Sequence, residues 1–584
     1  MGVILLFSFS SIVSANIVNI ADSSNGTQAA VTVETQEKNK GISLVTQISQ
    51  EEAIAIATSA IEIPKGFIFF EAKLETESMN SFDGPQWTID YLMLPGYYIT
   101  ISVDSQRGVI AYYATNYFVN LEKSMDPSRI DEEAMKQIAW KWLKKIKNPH
   151  LESIALHAHK RIYPSPLEPD FTYNLEYDRM INGVRFPQNG ISIVMNSRGQ
   201  IMTYHQIWSD QVKFEPLTSI MSKDEAIKKL KEQMKLVLTF QKPMYERTTM
   251  VPYIQYSFDS FAIEAKTGHR LDQYHHVDRQ TSNLFATEKT LTDKPLSNLT
   301  YNKELITQSQ VINKVKSKVI IPDNYVLEYA NYEGADKENS SAIWELKWIN
   351  PQNKKNSSGE EIDDSILVLF DARTEIIRGF SHLYQEESNS KKEVTLKFEQ
   401  AQQTAIEFVK QQLPHLTHEL VVEPIESTRF ELMKGPSSPI WMIYFKRQIQ
   451  GVTVQEDYIY VYIDKATGKV DRFSVNLSDS QLPVILPKLI KAEQAKQLLL
   501  DNVNVTLKYV VSYLQLHQET RSEGNLSNRK VIAKLVYQWE PNHIRETLFL
   551  DATNGKWRKI STGSEYNVPE EVIDLQGHWA QKQM

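Results

Sequence analysis

The chain contains no cysteine in 584 residues. That absence excludes disulfides, thiol catalysis, cysteine-held zinc, iron–sulfur clusters and a lipid joined through an N-terminal cysteine. Basic clusters are missing too. Lysine and arginine number 64 against 72 acidic residues, a net charge of −8. The two signs are mixed along the chain, so no stretch has the footprint of a nucleic-acid surface. The one apolar run, Gly2 to Val13, is too short to span a membrane. There is no His-Glu-x-x-His zinc helix, no Gly-x-Ser-x-Gly elbow and no P-loop. What the chain does have is 41% hydrophobic and 10% aromatic residues, and enough length for several domains.

It also repeats itself. A strand, an acidic turn, a glycine and a second strand recur six times. The copies begin at Val103-Asp-Ser-Gln-Arg-Gly108, Met195-Asn-Ser-Arg-Gly199, Glu264-Ala-Lys-Thr-Gly268, Phe370-Asp-Ala-Arg-Thr-Glu375, Ile463-Asp-Lys-Ala-Thr-Gly468 and Leu550-Asp-Ala-Thr-Asn-Gly555. Asp or Asn bonds its own backbone two residues on, and glycine supplies the positive φ of the turn. The fourth copy has Glu375 in place of glycine, so its turn is expected to differ in geometry. Each copy follows an amphipathic helix opening near Ser49, Ile130, Ser222, Thr307, Thr395 or Lys491. Ser222 and Glu225 fit a capping box. Phe398, Ala401, Ala405 and Phe408 put one apolar face on the fifth helix. Between helix and turn lie β-branched, aromatic runs such as Trp441–Phe445, which read as strands.

The units form two sets of three. Asn182-Gly183-Val184 in the second unit matches Gln450-Gly451-Val452 in the fifth, at a spacing of roughly 268 residues that the other landmarks share. The expected fold class is α+β: tandem modules, each one helix packed on a small antiparallel sheet, arranged as two triplets. The expected boundaries are a signal peptide at 1–15, a polar linker at 16–44, and modules at 45–122, 123–215 and 216–282. A linker at 283–300 follows, then modules at 301–385, 386–480 and 481–562, and a tail at 563–584. The apolar run ending in Val13-Ser-Ala15 has the core and cleavage site of a secretory signal, without its basic start.

These features resemble two known families. The Glu-Glu-Ala helices, the Asn-Gly-Val hairpin and the Asp-Lys-Ala-Thr-Gly-Lys-Val phrase at 464–470 look like PepSY-type modules. Their triple arrangement resembles the YcdB/YcdC repeated-domain proteins of Gram-positive bacteria. PepSY-like modules occur in metallopeptidase propeptides, where they inhibit and assist folding, and in exported proteins without a peptidase. The tail, Val572 to Gln581, resembles the opening of an S-layer homology (SLH) module. Asp574, His578, Trp579 and Ala580 match. That resemblance implies binding of cell-wall polysaccharide through Asp574, His578 and Trp579. The chain stops before the rest of the module.

No residue set implies a cofactor, and the expectation is a protein without turnover. Arg179 and Arg447 precede the two Gly-Val hairpins, either to meet an acidic partner or to pair with an acid across the sheet. His415-x-x-His418-Glu419, His275-His276-x-Asp278 and His157-x-His159 have partial ligand spacing without a complete set. Asp104, Asp371, Asp464 and Asp551 offer too few oxygens each for calcium. Tyr97, Tyr98, Tyr112, Tyr113 and the Tyr458–Tyr462 run suit a binding face or a half-buried sheet. Partners consistent with these readings are cell-wall polysaccharide and a secreted peptidase engaged by strand addition.

Overall fold

The computed structural model describes residues 48–566, apart from 76–84, 118–128, 163–170, 244–251, 273–274, 276–288, 300–304, 335–341, 353–363, 384–395, 424–438, 478–481, 484, 513–530 and 543–546. The expected signal peptide at 1–15, the expected linker at 16–44, His276, Asp278, Asp574, His578 and Trp579 lie outside the described residues.

Among the described residues, six α-helices stand where the repeats require them: α1 (Gln50–Ala60), α2 (Glu132–Lys145), α3 (Lys223–Gln233), α4 (Gln308–Lys318), α5 (Phe398–Gln412) and α6 (Ala492–Leu500). At α1, Ser49 and Glu52 form a reciprocal box, with bonds of 3.2 and 2.7 Å. At α3, Ser222 Oγ accepts the Glu225 amide (3.2 Å), one of the two bonds of the expected box. Each helix buries small or branched residues four apart: Ala53 and Ala57, Ala226 and Leu230, Val311 and Val315, Ala401 and Ala405. Short side chains on that stripe let the helix lie close against a sheet.

The strands of the first half are β1 (Ile68–Glu75), β2 (Gln86–Met93), β3 (Tyr97–Asp104), β4 (Ile110–Thr115), β5 (Ile154–Ile162), β6 (Thr172–Ile181), β7 (Val184–Asn196), β8 (Ile201–Ile207), β9 (Lys213–Phe214), β10 (Leu236–Gln241), β11 (Tyr253–Phe258), β12 (Ala262–Glu264) and β13 (Arg270–Leu271). The second half has β14 (Val326–Glu333), β15 (Ile343–Ile349), β16 (Ser365–Asp371), β17 (Ile377–Leu383), β18 (Leu420–Val422), β19 (Ile440–Ile449), β20 (Val452–Asp464), β21 (Val470–Asn476), β22 (Val503–Val510), β23 (Ile532–Pro541), β24 (Leu548–Asp551) and β25 (Trp557–Lys559).

They form two sheets, and each sheet contains strands of both halves. One runs β1-β2-β3-β4-β8-β7-β22-β23-β12-β13, and the other β14-β15-β16-β17-β21-β20-β10-β11-β24-β25. Four of the six units are a helix followed by its own meander, as the repeats suggest. The third and sixth are not. Their hairpins are exchanged: β10–β11 leaves the third unit for the second sheet, and β22–β23 leaves the sixth for the first. This corrects the reading of 216–282 and 481–562 as self-contained modules. The physical reason lies in the cores. Ala226 and Leu230 of α3 pack in one cluster with Val505, Tyr509, Leu535 and Tyr537. Ala495 and Leu499 of α6 pack with Phe240, Ile254 and Tyr256. Each helix therefore buries its apolar face on a hairpin that lies far away in sequence.

A bond repeated in all six units identifies the completing hairpin. The carbonyl of the residue just before each helix cap accepts from an aromatic side chain. Trp87 Nε1 reaches Ile48 O (3.2 Å), Trp344 reaches Ile306 O (3.2 Å) and Trp441 reaches Leu396 O (3.0 Å). Tyr173 reaches Ile130 O (2.9 Å) through its hydroxyl. In the exchanged units, Tyr537 on β23 reaches Met221 O (2.9 Å) and Tyr256 on β11 reaches Ile490 O (3.2 Å). In every unit the aromatic residue pairs with the residue preceding the turn Asp, Asn or Glu, as in Trp87 with Val103, Tyr173 with Met195, Tyr537 with Ile263 and Tyr256 with Leu550.

The fourth turn also departs from expectation. Glu375 adopts φ +55, the left-handed conformation that glycine takes in the other copies. Lys314 pairs with its carboxylate, and Lys318 Nζ donates to its carbonyl (2.9 Å), so two contacts from α4 offset a backbone cost of about 1–2 kcal/mol. Within the linker reading at 283–300, residues 291–296 lie along the turn after α5 through Leu291 N–Leu420 O (2.9 Å) and Leu296 N–Pro414 O (2.8 Å).

Tyr537→Phe, a change in the second half, is expected to weaken amide-exchange protection of α3 in the first half, by about 1 kcal/mol for the lost bond. Tyr256→Phe should do the same to α6. Hydrogen-exchange mass spectrometry resolves both helices, and protection lost only next to each substitution in sequence would contradict the exchange.

Candidate functional site

The turn acids are committed to their own turns. Asp104 Oδ1 accepts the amides of Gln106 and Arg107 (both 2.8 Å). Asp371 takes those of Arg373 and Thr374 (3.0 and 2.9 Å), Asp464 those of Ala466 and Thr467 (3.0 and 2.6 Å), and Asp551 that of Thr553 (2.9 Å). Arg378 and Arg558 then pair with Asp371 (3.0 Å) and Asp551 (2.7 Å). Burial raises both acids, but these bonds outweigh it and hold them below the usual carboxylate range. Such oxygens stabilise a hairpin and are not arranged to converge on an ion.

Arg179 and Arg447 occupy matching places and are largely buried. Arg179 donates to Asn189 Oδ1 (3.1 Å) and Ser209 O (2.7 Å), and its guanidinium lies over Trp208 at 4.5 Å. Arg447 donates to Glu419 (2.6 Å) and to Asp457 (2.9 Å), which is 0% exposed. Both arginines tie the hairpin bend to the loops beside it; Arg447 does so by pairing with acids, as one of the two roles read from the sequence has it, whereas Arg179 bonds Asn189 and Ser209, with Asp210 4.0 Å away. A bend is unavoidable at the first of these places. A Cβ on Gly190 would lie 2.1 Å from Tyr177 O, and the register of β6 and β7 shifts between Asp178 and Arg179.

The histidines pair locally. His150 stacks on Trp208, ring centroids 3.6 Å apart, and burial lowers it to about 4, with Asp210 opposing and Arg107 and Arg179 reinforcing. Burial likewise lowers His415 to about 4, with Arg447, Arg378 and His418 adding to it. His418 sits 3.4 Å from Glu419, and His157 sits 3.2 Å from Asp178. Among the described residues, no group of three His, Asp or Glu could hold a metal. One cluster had no signal in the sequence. Tyr325, Asp364 and His382 meet, with Tyr325 Oη 3.0 Å from His382 Nε2, while Asn350 Nδ2 donates to Asp364 (2.8 Å). Its members are about 57 residues apart at the extremes, and only the strand register unites them. Tyr444, Tyr458 and Tyr460 are half-buried neighbours on one sheet face, with centroids 5.0 Å apart for Tyr444–Tyr460 and Tyr458–Tyr460.

Two surfaces stand out beyond these clusters. The first is the seam where the exchanged hairpins join. Arg185 on β7 pairs with Asp178 (3.1 Å) and with Glu540 of β23, which also takes Lys508 of β22 (3.1 Å). Burial raises Glu540, but Lys508, Arg185 and His157 outweigh it and hold it at about 2. The matching strand pair in the second sheet is uncharged, with Gln255 Nε2 donating to Thr239 Oγ1 (2.8 Å), and the place of Asp178 holds Lys446, paired with Glu423 (2.7 Å). The second surface is the edge at β1, which has no strand beyond it among the described residues. Leu94, at the tip of the β2–β3 turn, is 93% exposed, Ile68 68% and Phe70 59%. A long, apolar, unpaired edge is suited to accepting another strand.

A family model described as "YcdB, YcdC repeated domain" matches residues 50–208 and 308–477. Those spans cover the first two units of each half and leave out the exchanged units. Among solved structures, the Bacillus megaterium YpeB C-terminal domain aligns at 10% identity over 58% of this chain and 99% of that one, with a TM-score of 0.21. No curated protein matches the chain.

Two measurements test this chemistry. His150 and His415 are lowered on folding, so the unfolded chain binds more protons below its ordinary histidine range. Stability should therefore fall as pH drops from about 6.5 towards 4. Glu540 is lowered too, so its contribution is present above about 4.5 and is lost as pH falls towards 2. A urea titration across pH should show the upper loss flattened by His150→Phe. Separately, Arg447→Met takes the guanidinium from buried Asp457 and should cost about 3–5 kcal/mol in urea unfolding, most of it recovered on adding Asp457→Leu.

Proposed function

The chain belongs to the family of YcdB, YcdC repeated-domain proteins, carrying the repeated domain twice, and from that premise we propose that it is an exported, cell-wall-associated protein without catalytic activity, built of PepSY-like modules and held at the wall by an SLH module that begins at its tail. One observation carries the non-catalytic part. Among the described residues, the turn acids and the two arginines that the sequence offers as chemistry are engaged in holding a turn or a bend. Asp104, Asp371, Asp551, Arg179 and Arg447 all have such partners in the fold. The apolar start with Val13-Ser-Ala15 supports export. The match of Asp574, His578 and Trp579 to the SLH opening supports wall polysaccharide as the partner.

The β1 edge favours a second reading, in which the protein inhibits or assists folding of a secreted metallopeptidase in trans. An extended segment of the peptidase would add to β1, with Ile68 and Phe70 contacting its side chains.

Cell fractionation decides the first reading. In a Gram-positive host, the full-length protein should be found in the wall fraction, and a version ending at Tyr566 should be released to the medium. Retention of both in the cytosol would contradict it. For the second, stoichiometric slowing of a thermolysin-type peptidase is expected, abolished by Phe70→Asp. An unchanged rate at equimolar protein would remove that reading.

A further inference from the structure

The reciprocal exchange raises a question of choice. The two travelling hairpins are built alike, so each could in principle stay at home. Their seams show the likeness. Lys508 of β22 pairs with Arg185 of β7, and Thr239 of β10 pairs with Thr453 of β20, at equivalent places in parallel register. Both hairpins carry the tyrosine that completes a helix. The seam pairing and the completing bond therefore do not distinguish one hairpin from the other, although β23 also pairs with β9, Ile532 with Lys213 and Ala533 with Phe214.

The side chains do. The first seam is ionic: Asp178, Arg185, Lys508 and Glu540 form one connected set, each largely buried. It is also fitted to its own hairpin by Gln188, whose side chain bonds both Val511 N (2.5 Å) and Val511 O (2.9 Å), and by Tyr509, whose hydroxyl donates to Glu215 O (2.7 Å). In the second seam the paired strands are uncharged, with Thr239, Gln255 and Thr453, the place of Asp178 holds Lys446, which pairs with Glu423 (2.7 Å), and Phe240 stands where Tyr509 stands in the first. The acid at the place of Glu540 is Asp259, already held by Arg270 and by the Lys235 amide (2.7 Å) where the chain crosses between sheets.

We propose that this difference in polarity is a recognition code, and that each half of the chain presents an interaction surface whose fitting partner is the unlike half and not a copy of itself. A home hairpin, or a like half from a second chain, would set Thr239 and Phe240 beside Arg185 and Asp178, leaving the ionic set without Lys508 and Glu540. Conversely, Lys508 would lie beside Thr453 in an apolar cluster that includes Val452 and Val454. A buried charge deprived of its partner is heavily penalised, whereas a hydroxyl exchanged for another is not.

The test uses the full chain with a specific protease site inserted between residues 276 and 288. After cleavage, native mass spectrometry should show the two pieces still bound one to one. Unfolding and refolding the cleaved protein should return unlike pairs with a bias of at least about a hundredfold over like pairs. The variant Asp178→Asn, Arg185→Thr, Lys508→Thr, Glu540→Gln should lose that bias and give like pairs as well. Should the fourfold variant not refold, Glu540→Gln alone is read the same way, as a reduced bias. Like pairs from the wild-type chain, or an undiminished bias in the neutral variants, would overturn the proposal.

Discussion

Each helix in this protein needs a strand bearing an aromatic donor. Without it, the carbonyl ahead of the helix cap has no partner and the helix has nothing to cover its apolar stripe. The constraint is met six times with one geometry, from Trp87 and Ile48 in the first unit to Tyr256 and Ile490 in the last. Four units satisfy it locally. Two satisfy it only through each other, and that requirement joins the halves. The third helix is finished by Tyr537 and the sixth by Tyr256, so neither half has a complete third core by itself.

The long strands β7 and β20 make the exchange possible. Each serves two cores. Val184 and Phe186 at the start of β7 belong to the exchanged cluster, while Ile191, Ile193 and Met195 belong to the first-half core. In β20, Val452 and Val454 belong to the other exchanged cluster, and Ile459, Val461 and Ile463 to the second-half core. A bulge separates the two parts of each strand, and there Arg179 or Arg447 anchors the bend. The arginines noticed for their matching positions are thus the pins of two hinged strands. Their environments differ, with Trp208, the Asn189 side chain and the Ser209 carbonyl around one and two carboxylates around the other, yet the mechanical task is shared.

Much of this was legible in the sequence, and the remainder was hidden for a physical reason. The six turns were readable because Asp, Asn and Gly have strong local backbone preferences. The helices were readable from their apolar spacing. Glu375 was misread because a left-handed residue other than glycine depends on contacts from α4 that no local pattern announces. The exchange was unreadable because β10–β11 and β22–β23 carry the same local signals wherever they go. Side chains at the seam separate the alternatives, Asp178, Arg185 and Gln188 from one half and Lys508, Tyr509 and Glu540 from the other, and the two groups lie far apart in sequence. The Tyr325–Asp364–His382 cluster was missed on the same account.

Because the chain has no native cysteine, an engineered pair reports strand neighbours without competition. Thr239 and Thr453 are neighbours across adjacent strands of different halves, at a separation that a disulfide can bridge. The account predicts that Thr239→Cys with Thr453→Cys oxidises within one chain, whereas Thr239→Cys with Arg185→Cys, the pair expected if the hairpin stayed at home, does not. The reverse outcome would contradict it.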